Sequence, residues 1–216
     1  MSPDVLVVAL ASVLGLLISP WLADRTDALI AERVEEPRPT SRSLVAFCSA
    51  FGFAVVAAAI GPHGQLLAYL FLAAVLVVLS IVDLVTKKLP RQVVHAALAG
   101  GVVMLTPVAV VTGEPDRIVW AAVGAVAGYC SLALLHLVLR GGLGWGDVRL
   151  GAPLGWFVGF QGLRYLPVAL FLAFVLSAVV GIVLMLTRRA NRRTMVPFGP
   201  FMALGALGSL LLVPGT

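Results

Sequence analysis

The chain has 216 residues, of which 61% are hydrophobic and only 12% are charged. Soluble domains usually contain about a quarter charged residues, so this composition excludes an ordinary soluble protein. The net charge of +5 does not indicate a nucleic-acid partner, because the basic residues lie at the ends of apolar runs. That distribution is typical of membrane proteins.

Eight apolar segments follow one another along the chain. Most are about 17 to 23 residues long, the length that an α-helix needs to cross the hydrocarbon core of a bilayer. The sequence therefore predicts an all-α fold, a polytopic integral membrane helical bundle surrounded by the lipid bilayer. The segments are 5–22, 44–60, 66–82, 92–111, 118–139, 148–160, 165–187 and 198–213. In the first connection, residues 23–43, mixed acids and arginines predict a short amphipathic helix followed by an extended linker.

The sixth segment is the shortest and contains Gly151, Pro153, Gly155 and Gly159, residues that weaken helices. One interpretation is a partial or re-entrant segment, which membranes tolerate where its backbone faces protein or a water-filled cavity. The distribution of positive charge favours a full crossing, because it keeps the basic cluster near the C-terminus on the same side as the other basic connections.

Basic residues are concentrated at alternate connections between the segments. Thirteen of the fifteen Lys and Arg residues lie at the odd-numbered connections, and only Arg117 and Arg164 lie at the even ones. By the positive-inside rule, the odd-numbered connections face the cytoplasm and both termini lie outside.

Two acidic residues, Asp83 and Asp147, lie at the predicted cytoplasmic ends of apolar segments, whereas the other eight are in tails or loops. A simple interfacial position explains either one alone, and Asp147 fits the N-cap of the sixth segment. The two together favour chemistry, because charges at this depth usually face a partner or a cavity. In a carboxylate dyad, one member keeps its proton while the other activates a water that attacks a peptide carbonyl.

The residues around each aspartate fit such a site. Gly144 and Gly146 remove side chains beside Asp147, so that backbone and a substrate strand can approach it closely. Pro90 is expected to end the helix of Asp83 at Leu89 or shortly before, and it is also a candidate for lining a substrate groove. Thr86 lies one helical turn after Asp83, where its hydroxyl reaches either that carboxylate or the backbone of its own helix.

A proline-rich corner precedes the last segment. It consists of Pro197, Phe198, Gly199 and Pro200. Proline is ordinary at the start of a helix, and a rigid corner of this kind is equally suited to line a substrate groove, so both interpretations stay open.

Three motifs, in this order, resemble the prepilin peptidase family, the GxGD-type membrane aspartic peptidases that process type IV pilins and pseudopilins. They are "DLVTKKLP" from Asp83 to Pro90, "GLGWGDVRLGAPLGWFVG" from Gly142 to Gly159, and "PFGPFMALGAL" from Pro197 to Leu207. The resemblance divides the chain into an N-terminal two-helix region, residues 1–65, and a membrane-embedded peptidase core, residues 66–216.

The resemblance implies that Asp83 and Asp147 are the catalytic pair and that no metal or other cofactor takes part. The implied substrate is a membrane-anchored prepilin or pseudopilin, whose short basic leader is cut off at the cytoplasmic face of the inner membrane. Two departures stand out. The first connection is short and lacks the paired cysteines of members that also N-methylate the product, and Arg91 replaces the Asn or Asp often found after the Leu-Pro pair.

Two alternatives remain open at the level of sequence. Presenilin-like and signal-peptide-peptidase-like proteases also use GxGD, but their aspartates lie on consecutive helices, whereas two apolar segments separate Asp83 from Asp147. A small transporter or membrane scaffold is the non-enzymatic alternative, since broken Gly- and Pro-rich segments also occur in transporters. No inverted repeat is evident, and both aspartates lie at the membrane edge instead of its midplane.

Overall fold

The computed structural model describes residues 3–139, 143–188 and 196–213, and these residues form eight helices and no strand. This confirms the all-α prediction, and each apolar segment corresponds to one helix. The helices are α1 (Pro3–Ala31), α2 (Arg42–Ile60), α3 (Leu66–Thr86), α4 (Arg91–Val111), α5 (Asp116–Val138), α6 (Trp145–Gln161), α7 (Tyr165–Leu186) and α8 (Gly199–Leu210).

Six of the helices described, α1 to α5 and α7, are long and apolar enough to cross a membrane. Many of their large apolar side chains point outward, as expected where lipid and not water surrounds the protein. The chain is therefore a multi-pass membrane protein. The full number of crossings and the sides on which the termini lie stay predictions.

Helix α1 continues nine residues beyond its predicted end at Leu22, through the stretch for which the sequence predicts a separate amphipathic helix. The reason is packing, because the apolar face of this stretch, including the fully buried Ile30, contacts a small cluster with Val45 and Val82 from α2 and α3. The linker to α2 is short. It is held near α1 by Asp27, whose carboxylate accepts hydrogen bonds from the backbone N–H and the hydroxyl of Thr40.

Helices α3 and α6 form the interior of the bundle. Twelve of the seventeen residues of α6 are buried, as are twelve of the twenty-one residues of α3. Helices α1, α2, α4 and α8 pack around α3, whereas α4, α5, α7 and α8 pack around α6. The N-terminal pair α1 and α2 thus lies directly against α3, and the division at residues 65 and 66 stays a prediction.

The glycines of the sixth segment serve helix packing. Gly151, Gly155 and Gly159 lie against the backbone of α5 at Gly124 and Gly128, where any Cβ would overlap a main-chain atom. Small residues at four-residue spacing let two membrane helices approach this closely. Helix α6 is one continuous helix that includes Pro153, and its full crossing of the membrane stays a prediction.

We expect Gly155→Ala to destabilise the bundle, because its new methyl group would overlap the Gly124 carbonyl oxygen. Overpacking of this kind costs about 1–3 kcal/mol, so the thermal unfolding temperature in detergent should fall clearly. Gly181→Ala is the matched control, since nothing lies within 4 Å of a Cβ at that position of α7. Equal unfolding temperatures for the two variants would contradict the assigned role of the glycines.

Candidate active site

Both aspartates line a single cavity of about 350 Å³ at one end of the bundle. Asp83 is 4% exposed and Asp147 is 8% exposed, so neither is a freely solvated interfacial residue. The cavity thus brings two aspartates together that α4 and α5 separate in sequence, and their pairing as a dyad stays a prediction. The remaining lining residues are Lys87, Lys88, Leu89, Arg91, Gly144, Trp145, Gly146 and Arg149.

The last turn of α3 holds Asp83 in place. Its carboxylate Oδ2 accepts a hydrogen bond of 2.8 Å from the backbone N–H of Gly199, at the start of α8. The helix ends three residues later, where Lys87 adopts a left-handed conformation with φ 52° and donates its N–H to the Asp83 carbonyl oxygen. Asp83 is therefore fixed by contacts from two helices, one of them far away in sequence.

The first turn of α6 carries Asp147. Gly144, and not Asp147, occupies the N-cap position, and Asp147 is the third residue of the helix. Its carboxylate folds back towards the Gly144 backbone. The amino end of a helix carries a partial positive charge that favours a nearby anion. The N-cap alternative is thus wrong, because Asp147 lies within the first turn of the helix and lines the cavity.

Three glycines make room for the aspartates and for the loop beside them. A Cβ on Gly144 would lie 3.0 Å from Oδ2 of Asp147, and one on Gly199 would lie 2.9 Å from Oδ2 of Asp83. A Cβ on Gly146 would instead lie 3.0 Å from the Cβ of Leu89. Gly144 and Gly199 therefore leave space for carboxylates, whereas Gly146 leaves space for the connection between α3 and α4.

The turn between α3 and α4 contains the predicted supporting residue Thr86 and the predicted substrate-groove residue Pro90. The Thr86 hydroxyl lies within donating distance of the Val82 carbonyl oxygen (2.8 Å) and the Lys88 carbonyl oxygen (3.0 Å), to one of which it donates, and it accepts from the Lys88 N–H. It therefore bonds to backbone, the second of its two sequence interpretations, and shapes the turn. Pro90 is the N-cap of α4, which places Leu89 against Gly146 and Arg91 at the cavity.

The four residues of the proline-rich corner make different contacts. Gly199 binds Asp83, whereas the ring of Phe198 is 7% exposed and packs 4.9 Å from the ring of Phe174 on α7. Pro200 occupies the first turn of α8 and also lines an apolar groove. Pro197 is half-buried before the helix. Pro200 therefore stands at the start of a helix and also lines a groove, and the role of that groove in substrate binding stays a prediction.

Two residues that help to position the site were not predicted from the sequence. The hydroxyl of Tyr69, buried in α3, donates a 2.6 Å hydrogen bond to the Phe157 carbonyl of α6 and so joins the two helices that carry the aspartates. His136, on α5, packs against Trp145 with the ring centroids 4.4 Å apart and the ring planes tilted by 46°. A hydroxyl-bearing side chain in an apolar helix indicates a hydrogen bond between helices, but the sequence does not identify the partner of that bond.

Comparison with known proteins places the chain in a family. The Type IV leader peptidase family matches residues 70–185, more than half of the chain and including both aspartates. The chain belongs to this family. The finding agrees with the resemblance seen in the three motifs, although the third motif lies beyond the matched residues. It also disfavours the transporter and presenilin-like alternatives.

Among similar proteins is the "Prepilin leader peptidase/N-methyltransferase" of Aeromonas salmonicida (strain A449), 36% identical over 174 residues, which are 78% of this chain and 57% of that protein. Another of the same name, from Burkholderia pseudomallei (strain 1026b), is 35% identical over 69% of this chain and 48% of its own length. The chain thus spans about half the length of the curated relatives it matches. No solved structure matches it.

Proposed function

We propose that the chain is a membrane aspartic endopeptidase that removes the short basic leader of type IV prepilins or pseudopilins. Asp83 and Asp147 are the catalytic pair in this proposal. The observation that carries it is the shared cavity, which is lined by two buried aspartates from separate helices. Family membership and the names of the relatives support the substrate class.

The proposed reaction follows from two carboxyl groups that share one proton. Neighbouring carboxylates cannot both ionise easily, so one is charged and the other protonated. The charged member takes a proton from a water, whose oxygen adds to the scissile carbonyl carbon while the protonated member polarises the carbonyl oxygen. When the tetrahedral intermediate collapses, the C–N bond breaks and the amide nitrogen leaves as an amine with a proton from the dyad. One water is consumed for each bond cut.

We further propose that the cavity opens at the cytoplasmic face of the inner membrane. The cavity lies at the end of the bundle where α3 ends and α4 and α6 begin, together with Lys87, Lys88, Arg91 and Arg149. Arg117 lies at the opposite end, where its side chain reaches Gln65 beside the start of α3. Concentrated positive charge at one end of a membrane bundle favours a cytoplasmic location for that end.

Co-expression with an epitope-tagged prepilin in a host without its own leader peptidase tests the proposal. We expect the precursor to shift to the mature size, because the dyad hydrolyses a peptide bond at the membrane surface. Immunoblotting measures the shift, and N-terminal sequencing locates the cut after the basic leader. A precursor that keeps its full length in the presence of correctly inserted protein would contradict the proposed function.

We do not expect this chain to N-methylate its product, although the relatives' names include an N-methyltransferase activity. Between Ala31 and Arg42 only ten residues connect α1 to α2, and the 23–43 connection contains no cysteine. Mass spectrometry of the same mature product measures its terminus directly, and we expect an unmodified amine.

A further inference from the structure

A second cavity, an apolar groove of about 260 Å³, runs between α2, α3 and α8. We call it the α2–α3–α8 groove. Its floor contains small residues, Gly52, Ala73 and Ala203, and the aromatic rings of Phe47 and Phe51 line its outer side. These rings are stacked, with centroids 6.2 Å apart, and Phe47 is 68% exposed. A small-residue floor lets another membrane helix approach closely.

The α2–α3–α8 groove leads to the candidate active site. On α3 it extends from Ala73 to Leu84, twelve residues that span about 16 Å of helix, and Leu84 directly follows Asp83. On α8 it begins at Pro200, directly after Gly199, whose N–H binds Asp83. A helix of about three turns lying in the groove would therefore end beside the catalytic carboxylate.

A comparable groove lies on the other side of α3 but does not reach the site. It has a volume of about 350 Å³ and lies between α1, α3 and α4, with Trp21, Leu29 and Ala74 among its lining residues. Neither aspartate and no residue adjacent to one lines it. Lipid chains suit both grooves equally, so a specific occupant is favoured only in the groove that is continuous with the site.

We propose that the α2–α3–α8 groove holds the apolar helix of the membrane-anchored substrate and thereby places the scissile bond at Asp83. This inference rests on the proposed function. The scissile bond then lies where the two cavities adjoin, because Asp83 lines the polar cavity while its neighbour Leu84 and the first turn of α8 at Pro200 line the groove.

Leu204→Trp tests the inference by filling the groove from its rim, where Leu204 is 43% exposed and a larger side chain does not overpack the core. We expect cleavage of the anchored precursor to fall at least about ten-fold, equivalent to about 1.4 kcal/mol of lost binding. Cleavage of a soluble peptide with the same scissile bond but no apolar helix should stay unchanged. Leu29→Trp, the same substitution in the other groove, should leave both substrates unaffected.

These outcomes separate the inference from the proposed function. If wild-type protein cleaves neither substrate, the proposed function fails. If wild type cleaves the precursor and Leu204→Trp cleaves it equally well, or if Leu29→Trp loses as much activity, the groove assignment is overturned. A parallel loss for precursor and soluble peptide would also overturn it, since the groove would then act on the site and not on the helix.

Crosslinking gives a readout that does not depend on cleavage. A photoreactive p-benzoylphenylalanine at Phe47, in the Asp147→Asn background, should form an adduct with the apolar helix of the precursor in membranes. The same probe at Trp21, which is 58% exposed in the other groove, should not. Adducts at Phe47 with lipid alone, or with a second copy of this chain, would overturn the inference.

Discussion

Asp83→Asn and Asp147→Asn should each abolish cleavage of a prepilin, with a loss of at least about a thousand-fold, within the range typical for removing a general acid or base. An amide has nearly the same size as a carboxyl group but cannot take a proton from water or supply one to the leaving amine. Because the proposed reaction needs one charged and one protonated member, neither aspartate can substitute for the other. The initial rate of precursor cleavage in detergent measures the effect.

The control for these variants is Asp116→Asn. Asp116 is exposed in the first turn of α5, away from the cavity. The Asp116→Asn variant should therefore cleave at the wild-type rate. All three variants should have the same unfolding temperature. Activity retained in either Asp83→Asn or Asp147→Asn would show that the shared cavity is not an aspartic dyad.

Helix positions were largely predictable from hydropathy, because a long apolar run in this composition has few alternatives to a membrane helix. The exception at α1 has a physical cause. Hydropathy ended the first segment at Leu22, but the helix continues because Ile30 is buried against α2 and α3. A contact with distant helices decided this boundary, and no local pattern contains that information.

The two acidic residues of the candidate site were predictable from the sequence, but the residues that hold them in position were not. Scarcity of charge near apolar segments was sufficient to select Asp83 and Asp147. The partner of Asp83 was not predictable, since the backbone N–H of Gly199 lies 116 residues away and any residue type except proline provides one. The glycines of α6 were visible, but only the close approach of α5 at Gly124 shows that they serve packing.

Gly199→Ala should reduce the turnover rate about a hundred-fold while leaving the fold intact. A Cβ at this position would lie 2.9 Å from Oδ2 of Asp83 and 3.3 Å from its Cβ, so the carboxylate must move away from the Gly199 N–H. A hydrogen bond to a charged group contributes about 1.5–3 kcal/mol, which corresponds to roughly ten- to more than a hundred-fold in rate. Steady-state kinetics with the anchored precursor measures the change.

The kinetic constant that changes distinguishes a positioning role from a substrate-binding role. If Gly199 acts through Asp83, the loss appears in kcat with KM nearly unchanged, because a misplaced carboxylate weakens the transition state and not the bound substrate. Gly208→Ala, on the same helix, adds a methyl group at an ordinary 3.4 Å from the Cδ1 of Leu172 and should keep wild-type kinetics. A rise in KM alone for Gly199→Ala would instead make Gly199 part of the substrate groove, as the proline-rich corner first suggested.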